Sequence, residues 1–205
     1  LTSLKLRSSR LGLSGMEHLA PAIASCAKLA SLDLSWNGLR DRAASQLTQA
    51  LGQCTALTNL QLDGNHLTEP FRCCALRSLG VASNELRGAV LNDILKSAWQ
   101  LTEIDISFLG LDCSEVVDLS DGLFVCTSLT SLTIAGNQVR ETGADVLCET
   151  LRHCTEIRKL NLQSNPIAAG ARAIGSLMND LRDVTVLDLA ACDLGPEGAL
   201  KLEQA

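Results

Sequence analysis

The stretch "LTSLTIAGNQVRETGADVLCETLRHC", Leu129 to Cys154, changes its period halfway. Its first half alternates apolar and polar residues with period two, the mark of a short half-buried strand and its exit turn. From Gly143 onward, Ala144, Leu147, Cys148 and Leu151 fall at i, i+3, i+4 and i+7, one face of a helix. Strand, turn, helix and return thus follow within one short segment.

The same frame, L-x-x-L-x-L-x-x-N-x-L, begins at Leu1, Leu29, Leu57, Leu76, Leu101, Leu129, Ile157 and Val184, at spacings of 28, 28, 19, 25, 28, 28 and 27 residues. A fixed period of this size decides the architecture before any site is sought. Parallel strands sit about 4.8 Å apart, whereas packed helices need roughly 8 to 10 Å. The helices therefore take the outer arc, and stacked units form a curved α/β solenoid with a parallel sheet on its concave side. At the ninth position stand Asn37, Asn65, Asn84, Asn137 and Asn165, whose amides can both donate to and accept from a turning backbone. Ser9, Leu109 and Cys192 replace them in three units. Leu109 can do neither, so the fifth unit is expected to use water or a different backbone path.

"LASLDLSWNGL", "LTNLQLDGNHL", "LRSLGVASNEL", "LTSLTIAGNQV" and "IRKLNLQSNPI", followed in most units by a segment such as "AASQLTQALGQC", resemble the leucine-rich repeat family in its ribonuclease-inhibitor-like subclass. The expectation is one domain over 1–205 of about eight units: 1–28, 29–56, a short 57–75, 76–100, 101–128, 129–156, 157–183 and a partial 184–205. The chain starts on a repeat strand without Met and stops in "GPEGALKLEQA", so it reads as a fragment of a longer chain. The resemblance implies a scaffold that binds another protein, as ribonuclease inhibitor clasps its enzyme. Within the same resemblance it also admits a Ran-type GTPase activator, the sensing or autoinhibitory region of a NOD-like receptor, or a cytoskeletal or purely structural part of an assembly.

Composition narrows the partner class. A net charge of −6 and a pI near 5.0 supply no broad positive field for nucleic acid or anionic membranes. No run of about 18 apolar residues suggests a membrane span. Nine cysteines without C-x-x-C spacing point to a reducing, cytoplasmic setting. Five of them, Cys26, Cys54, Cys73, Cys126 and Cys154, share one register and read as buried plugs. Cys192 and Cys148 also fit repeat positions, which leaves Cys74 and Cys113 without a place. The histidines, His18, His66 and His153, occupy unlike positions and do not converge with other ligands, and no nucleophile has a base at recognisable spacing. No metal, cofactor or catalytic activity is expected.

What remains is surface. Positions 3, 5, 7 and 8 of each unit are expected to project from the concave face. The candidate contact residues there are Asp33, Gln61, Asp63, Glu103 and Asp105, with Trp36 and Phe108 at position 8 among small residues. Aromatic anchors are enriched at binding hot spots; the plainer alternative is that each ring packs over its own unit's turn. Arg40, Arg87 and Arg140 share position 12 and would line one rim, able to grip carboxylates. Only ten residues, "HLTEPFRCCA", connect the third strand to the fourth unit, and Pro70 opposes a helix. An extended or single-turn link is expected there, with Phe71 filling the space of the missing helix.

Overall fold

Each unit gives three residues to the sheet, because a leucine or isoleucine at position 4 points inward between two polar neighbours. In the computed structural model, which describes residues 1–72 and 75–203, the strands are β1 (Ser3–Lys5), β2 (Ser31–Asp33), β3 (Asn59–Gln61) and β4 (Ser78–Gly80). They continue as β5 (Glu103–Asp105), β6 (Ser131–Thr133), β7 (Lys159–Asn161) and β8 (Val186–Asp188). All eight pair in parallel and in sequence order, each with position 3 opposite position 3 of the next. The outer arc carries α1 (Gly12–Ala24), α2 (Arg40–Leu51), α3 (Gly88–Ser97), α4 (Cys113–Val125), α5 (Glu141–Leu151), α6 (Ala171–Asp180) and α7 (Gly195–Glu203). One continuous aliphatic core lies between the layers.

The asparagines tie each exit turn to the one before. The Asn65 side chain accepts from the amides of Asn37 and Leu39 in the preceding unit and donates to the carbonyls of Leu34 and Leu62. Asn37, Asn84 and Asn137 repeat the pattern one step along. This corrects the expectation about Leu109. Its own turn is intact, because Asn137 serves the Leu109 and Leu111 amides and the Ile106 carbonyl. The acceptor lost is the one that an asparagine at 109 would offer the preceding unit's Asn84 and Leu86 amides. Cys192 keeps the donating half, its thiol bonding to the Leu162 carbonyl at 3.1 Å.

The outer wall is broken once. Between β3 and β4 no helix occurs among the described residues, and the link crosses Pro70 in non-helical backbone. Phe71, only 5% exposed, occupies the core there. The Asp41 carboxylate at the start of α2 holds the link by accepting from the Thr68 amide, the Thr68 hydroxyl and the Glu69 amide. Burial works against that charge, but these hydrogen bonds prevail and hold the carboxyl below its ordinary value. Cys73 and Cys74 lie outside the described residues. Elsewhere helices close up: a Cβ on Gly88 would lie 2.1 Å from the Glu115 carbonyl oxygen, and one on Gly122 would lie 2.9 Å from Leu95 Cβ. Among the in-register cysteines, Cys54, Cys126 and Cys154 are buried and Cys26 is half-buried. Burial pushes the Cys126 thiol up to about 12 and the Cys154 thiol to about 11, which keeps both unreactive.

The ladder makes opposite substitutions comparable. Asn65→Ala strands the buried Asn37 and Leu39 amides, while the Leu34 and Leu62 carbonyls keep a second donor in Asn37 and Asn84, so it is expected to cost about 2 kcal/mol or more. Leu109→Asn buries an amide yet restores the missing acceptor, so it should stay within about 1 kcal/mol of the parent, although unmatched buried polar groups cost about 1–3 kcal/mol. Urea unfolding midpoints with unchanged slopes distinguish the two, and an equal loss would contradict the ladder.

Candidate functional site

A chain leaving a three-residue strand must turn at once, and every unit does so with left-handed backbone at position 8. Ser8, Trp36, Gly64, Ser83, Phe108, Gly136, Ser164 and Ala191 all have φ between 54° and 63°. That explains the glycines, serines and alanine of this row, since bulky L-residues pay about 1–2 kcal/mol to enter the region. Trp36 and Phe108 take that strain and remain 48% and 61% exposed.

Neither ring lies over its own turn; each leans on the next unit. A Cβ on Gly64 would fall 2.5 Å from the Trp36 ring, and one on Gly136 would fall 2.2 Å from the Phe108 ring. The glycines are seats that let the rings lie close. The Arg7 guanidinium stands 6.0 Å from the Trp36 ring centroid, in cation–π range. Trp99 and Phe124 are also exposed, but they sit near the far ends of α3 and α4, where Phe124 stacks on His153 at 4.3 Å.

Between the two aromatic seats the concave face carries a hollow of about 180 Å³, lined by Gln61, Ser78, Leu79, Glu103, Ile104, Asp105, Ser131 and Thr133. Beside it Gly80, the one glycine in the position-5 row, is buried under its neighbours: a Cβ there would lie 1.9 Å from Gln61 Oε1 and 2.9 Å from Asp63 Oδ1, so the Gln61 side chain fills that place. Three of the candidates, Gln61, Glu103 and Asp105, therefore line one small hollow, and Asp63 packs beside Gln61 over Gly80. Asp63 bonds to the Ala82 amide at 3.0 Å and to the Ser35 hydroxyl at 3.4 Å. Burial raises the Asp63 carboxyl above its ordinary value and the charge of Asp105 adds to this, while the Ala82 amide, Arg7 and Ser35 only partly offset it.

Other candidates do not converge on the hollow. Asp33 lies two strands away from Gly80 and caps the Ser35 amide. Arg40 and Arg140 are exposed at the rim, at the start of α2 and α5. Arg87 is exposed as well, and its guanidinium pairs with the buried Glu115 carboxylate, which also accepts from the Gly88 amide. Position 7 departs from expectation in four units, where the small residues Ser35, Ala82, Ser107 and Ala135 are buried, while Arg7, Gln163 and Ala190 are exposed. The Ser107 hydroxyl is buried without a hydrogen-bond partner among the described residues. Cys113, half-buried beside α5, is opposed by burial but receives hydrogen bonds from Thr142, Arg140 and Gly143 that lower its thiol below the ordinary value. Among the described residues, no group of three or more His, Cys, Asp or Glu side chains could hold a metal, and no helix is long and apolar enough to cross a membrane.

Sequence reasoning found the aromatics but missed their seats. The signal was present, since Gly64 and Gly136 occupy position 8 in the units that follow Trp36 and Phe108.

A family model described as "Leucine Rich repeat" matches residues 25–47, 125–148 and 181–202. NACHT, LRR and PYD domains-containing protein 9C of Mus musculus is 31% identical over 172 residues, 75% of this chain and 17% of that protein. Ribonuclease inhibitor of Sus scrofa is 28% identical across an alignment of 228 residues that covers 100% of this chain and 48% of the inhibitor. The chain thus spans less than half the length of these curated relatives. Among solved structures, the Arabidopsis receptor kinase HAESA, in complex with the peptide hormone IDA and a co-receptor, aligns with a TM-score of 0.56 and 20% identity. The alignment covers 87% of this chain and 29% of that one, and shows likeness of fold.

Two measurements test the site's geometry. Gly64→Ala should cost about 2 kcal/mol or more in the parent, from left-handed strain plus collision with the ring, but only about 1 kcal/mol when Trp36→Gly is already present. A coupling near zero would mean that the ring does not rest on Gly64. Asp63→Asn keeps the oxygen that accepts from Ala82 and removes the charge. A carboxyl whose folded pKa is raised withdraws stability as pH climbs from its ordinary value, 3.8, through the folded one. The variant should therefore melt above the parent at pH 7 and level with it near pH 3, as roughly bracketed by that linkage.

Proposed function

We propose that this chain, which belongs to the leucine-rich repeat family in its ribonuclease-inhibitor-like subclass, is a scaffold that holds a partner protein against its concave face and exit-turn rim. Protein binding is the general mode of this fold. The particular face is our reading, carried by one observation: two exposed aromatic rings in strained backbone flank an acidic hollow on the same side of the sheet. Nothing in the solenoid's stability calls for a bulky aromatic in the left-handed region, where serine or glycine serves the other units.

Trp36 and Phe108 act as anchors, while Gln61, Asp63, Glu103 and Asp105 supply polar and charged contacts. Asp33, Arg40, Arg87 and Arg140 lie at the margin of this footprint, Arg87 with Glu115 already paired to it. The reading is that of a binding protein and not of a catalyst. A reducing, cytoplasmic setting is supported by the seven described cysteines, all free thiols. A second reading, favoured by the 31% identity to a NACHT, LRR and PYD domains-containing protein, is that this array serves as the repeat segment of such a multidomain protein.

A photo-crosslinking side chain placed at Glu103, and separately at Lys96 on α3, tests the face in the full-length protein. Adducts should form from position 103, and Glu103→Lys with Asp105→Lys should cut partner capture about tenfold or more, the scale of losing a hot-spot contact. Adducts confined to position 96, with capture unaffected by the double reversal, would move the site to the convex wall.

A further inference from the structure

The spacing of the two aromatic seats carries information about what lies across them. The position-8 residues continue the sheet's ladder: the Trp36, Gly64, Ser83 and Phe108 amides each donate to the position-7 carbonyl of the next unit. Trp36 and Phe108 are three units apart in an unbroken strand order, so their rings stand about 14 Å apart at about 4.8 Å per step. Both lean in the same direction onto the following glycine, which preserves that distance. An extended chain rises about 3.4 Å per residue and presents alternate side chains to one side. Four residues of extended chain therefore cover the distance, and residues i, i+2 and i+4 all face the protein. A helix rises about 1.5 Å per residue, so only residues about nine or ten apart match the span.

The middle of that span has its own chemistry. Halfway between the ring seats on Gly64 and Gly136 lie units four and five, where Glu103 and Asp105 line the hollow and Gln61, resting on Gly80, forms its near wall. Asp63 stands between the rim row and that hollow, partly buried and repelled by Asp105. The hollow's two carboxylates, Glu103 and Asp105, have no cation among the residues that line it. The molecule already supplies a partial one: the Arg7 guanidinium reaches Trp36 and acts favourably on Asp63. A long basic side chain at i+2 would take the same role more fully, its stem crossing the apolar rim and its head meeting Asp63 first.

We infer that the partner presents an extended segment running across the strands, with apolar side chains at i and i+4 on Trp36 and Phe108 and an arginine or lysine at i+2 in the hollow lined by Glu103 and Asp105. The inference rests on the concave-face reading above and adds to it the conformation, spacing and charge of the bound segment. Arginine fits better than lysine, since its fork can serve two carboxylates at once.

The test uses labelled synthetic peptides and the full-length protein, with binding read by fluorescence anisotropy. The probe Gly-Leu-Ser-Arg-Ser-Leu-Gly carries the inferred spacing; one control brings the leucines to i and i+2 around the arginine, and another replaces arginine by norleucine. The probe should bind about tenfold tighter than either control. Trp36→Gly and Phe108→Gly should each remove about that factor, with melting temperatures confirming that the variants are folded. Asp63→Asn should weaken the arginine peptide and leave the norleucine peptide unchanged. Equal binding of all three peptides, abolished by Asp105→Lys, overturns the inferred pattern and leaves the concave-face reading standing. Binding that survives Asp105→Lys together with Glu103→Lys overturns both. Absence of binding by every peptide up to millimolar concentration, while the crosslink from position 103 still forms, overturns the pattern alone.

Discussion

The backbone reversal after each three-residue strand is the constraint on which the rest of this molecule depends. A parallel sheet built from such short strands has to release its chain at once, which leaves amides and carbonyls pointing into a dry interior. Two devices solve this together. Left-handed backbone at position 8 makes the bend, and the asparagine that follows bonds to its own unit and to the preceding one. Neighbouring units are thereby locked together at the edge of the sheet, except where Leu109 offers the fourth unit no acceptor. The same bend thrusts the position-8 side chain outward, so the device that closes the core also creates a row of outward-facing sites.

The outer wall obeys a looser rule. Helices follow seven of the eight strands, yet their packing is uneven, and that unevenness is written in small residues and carboxylates. Glycines at 88 and 122 bring α3 and α4 close, with the buried Glu115 bridging between the Gly88 amide and Arg87. On the other side of α3 the third unit offers no helix among the described residues, and Asp41 and Phe71 substitute for it, one by tethering the link and the other by plugging the core. The concave sheet does not register this break, since β3 and β4 pair in the same register as every other neighbouring pair. Sheet continuity therefore does not require helix continuity, and the inner face, where we propose the partner binds, is insulated from irregularity on the outer one.

This division also explains what could be read in the sequence. The strands, the asparagine row, the helix faces and the helix-free third unit follow from residue periodicity and from Pro70, because each is dictated locally. Leu109 was harder. Its consequence falls on the preceding unit, so a reading confined to its own turn assigns the defect to the wrong place. Position 7 misled in four units: strand alternation places it outside, as it does for Arg7, Gln163 and Ala190, whereas the small residues Ser35, Ala82, Ser107 and Ala135 are buried. Arg87 looked equivalent to Arg40 and Arg140, and only the fold brings Glu115 from the next unit to claim it. The hollow belongs to the same class, since its walls come from four different strands.

Trp36 and Phe108 show how such a site can arise without disturbing the solenoid. Either residue would clash with a side chain at the same position of the next unit, so an aromatic at position 8 requires a glycine one repeat later, as Gly64 and Gly136 provide. The requirement is local to two units, and the sheet, the ladder and the helices need not change. Because the ring's cost is backbone strain rather than a disrupted core, the array tolerates an aromatic at a few places while serine, alanine or glycine fills the others. The repeat thus fixes the geometry of the row to the spacing of the strands, and the choice of side chain at each position decides where along that ruler a partner is held.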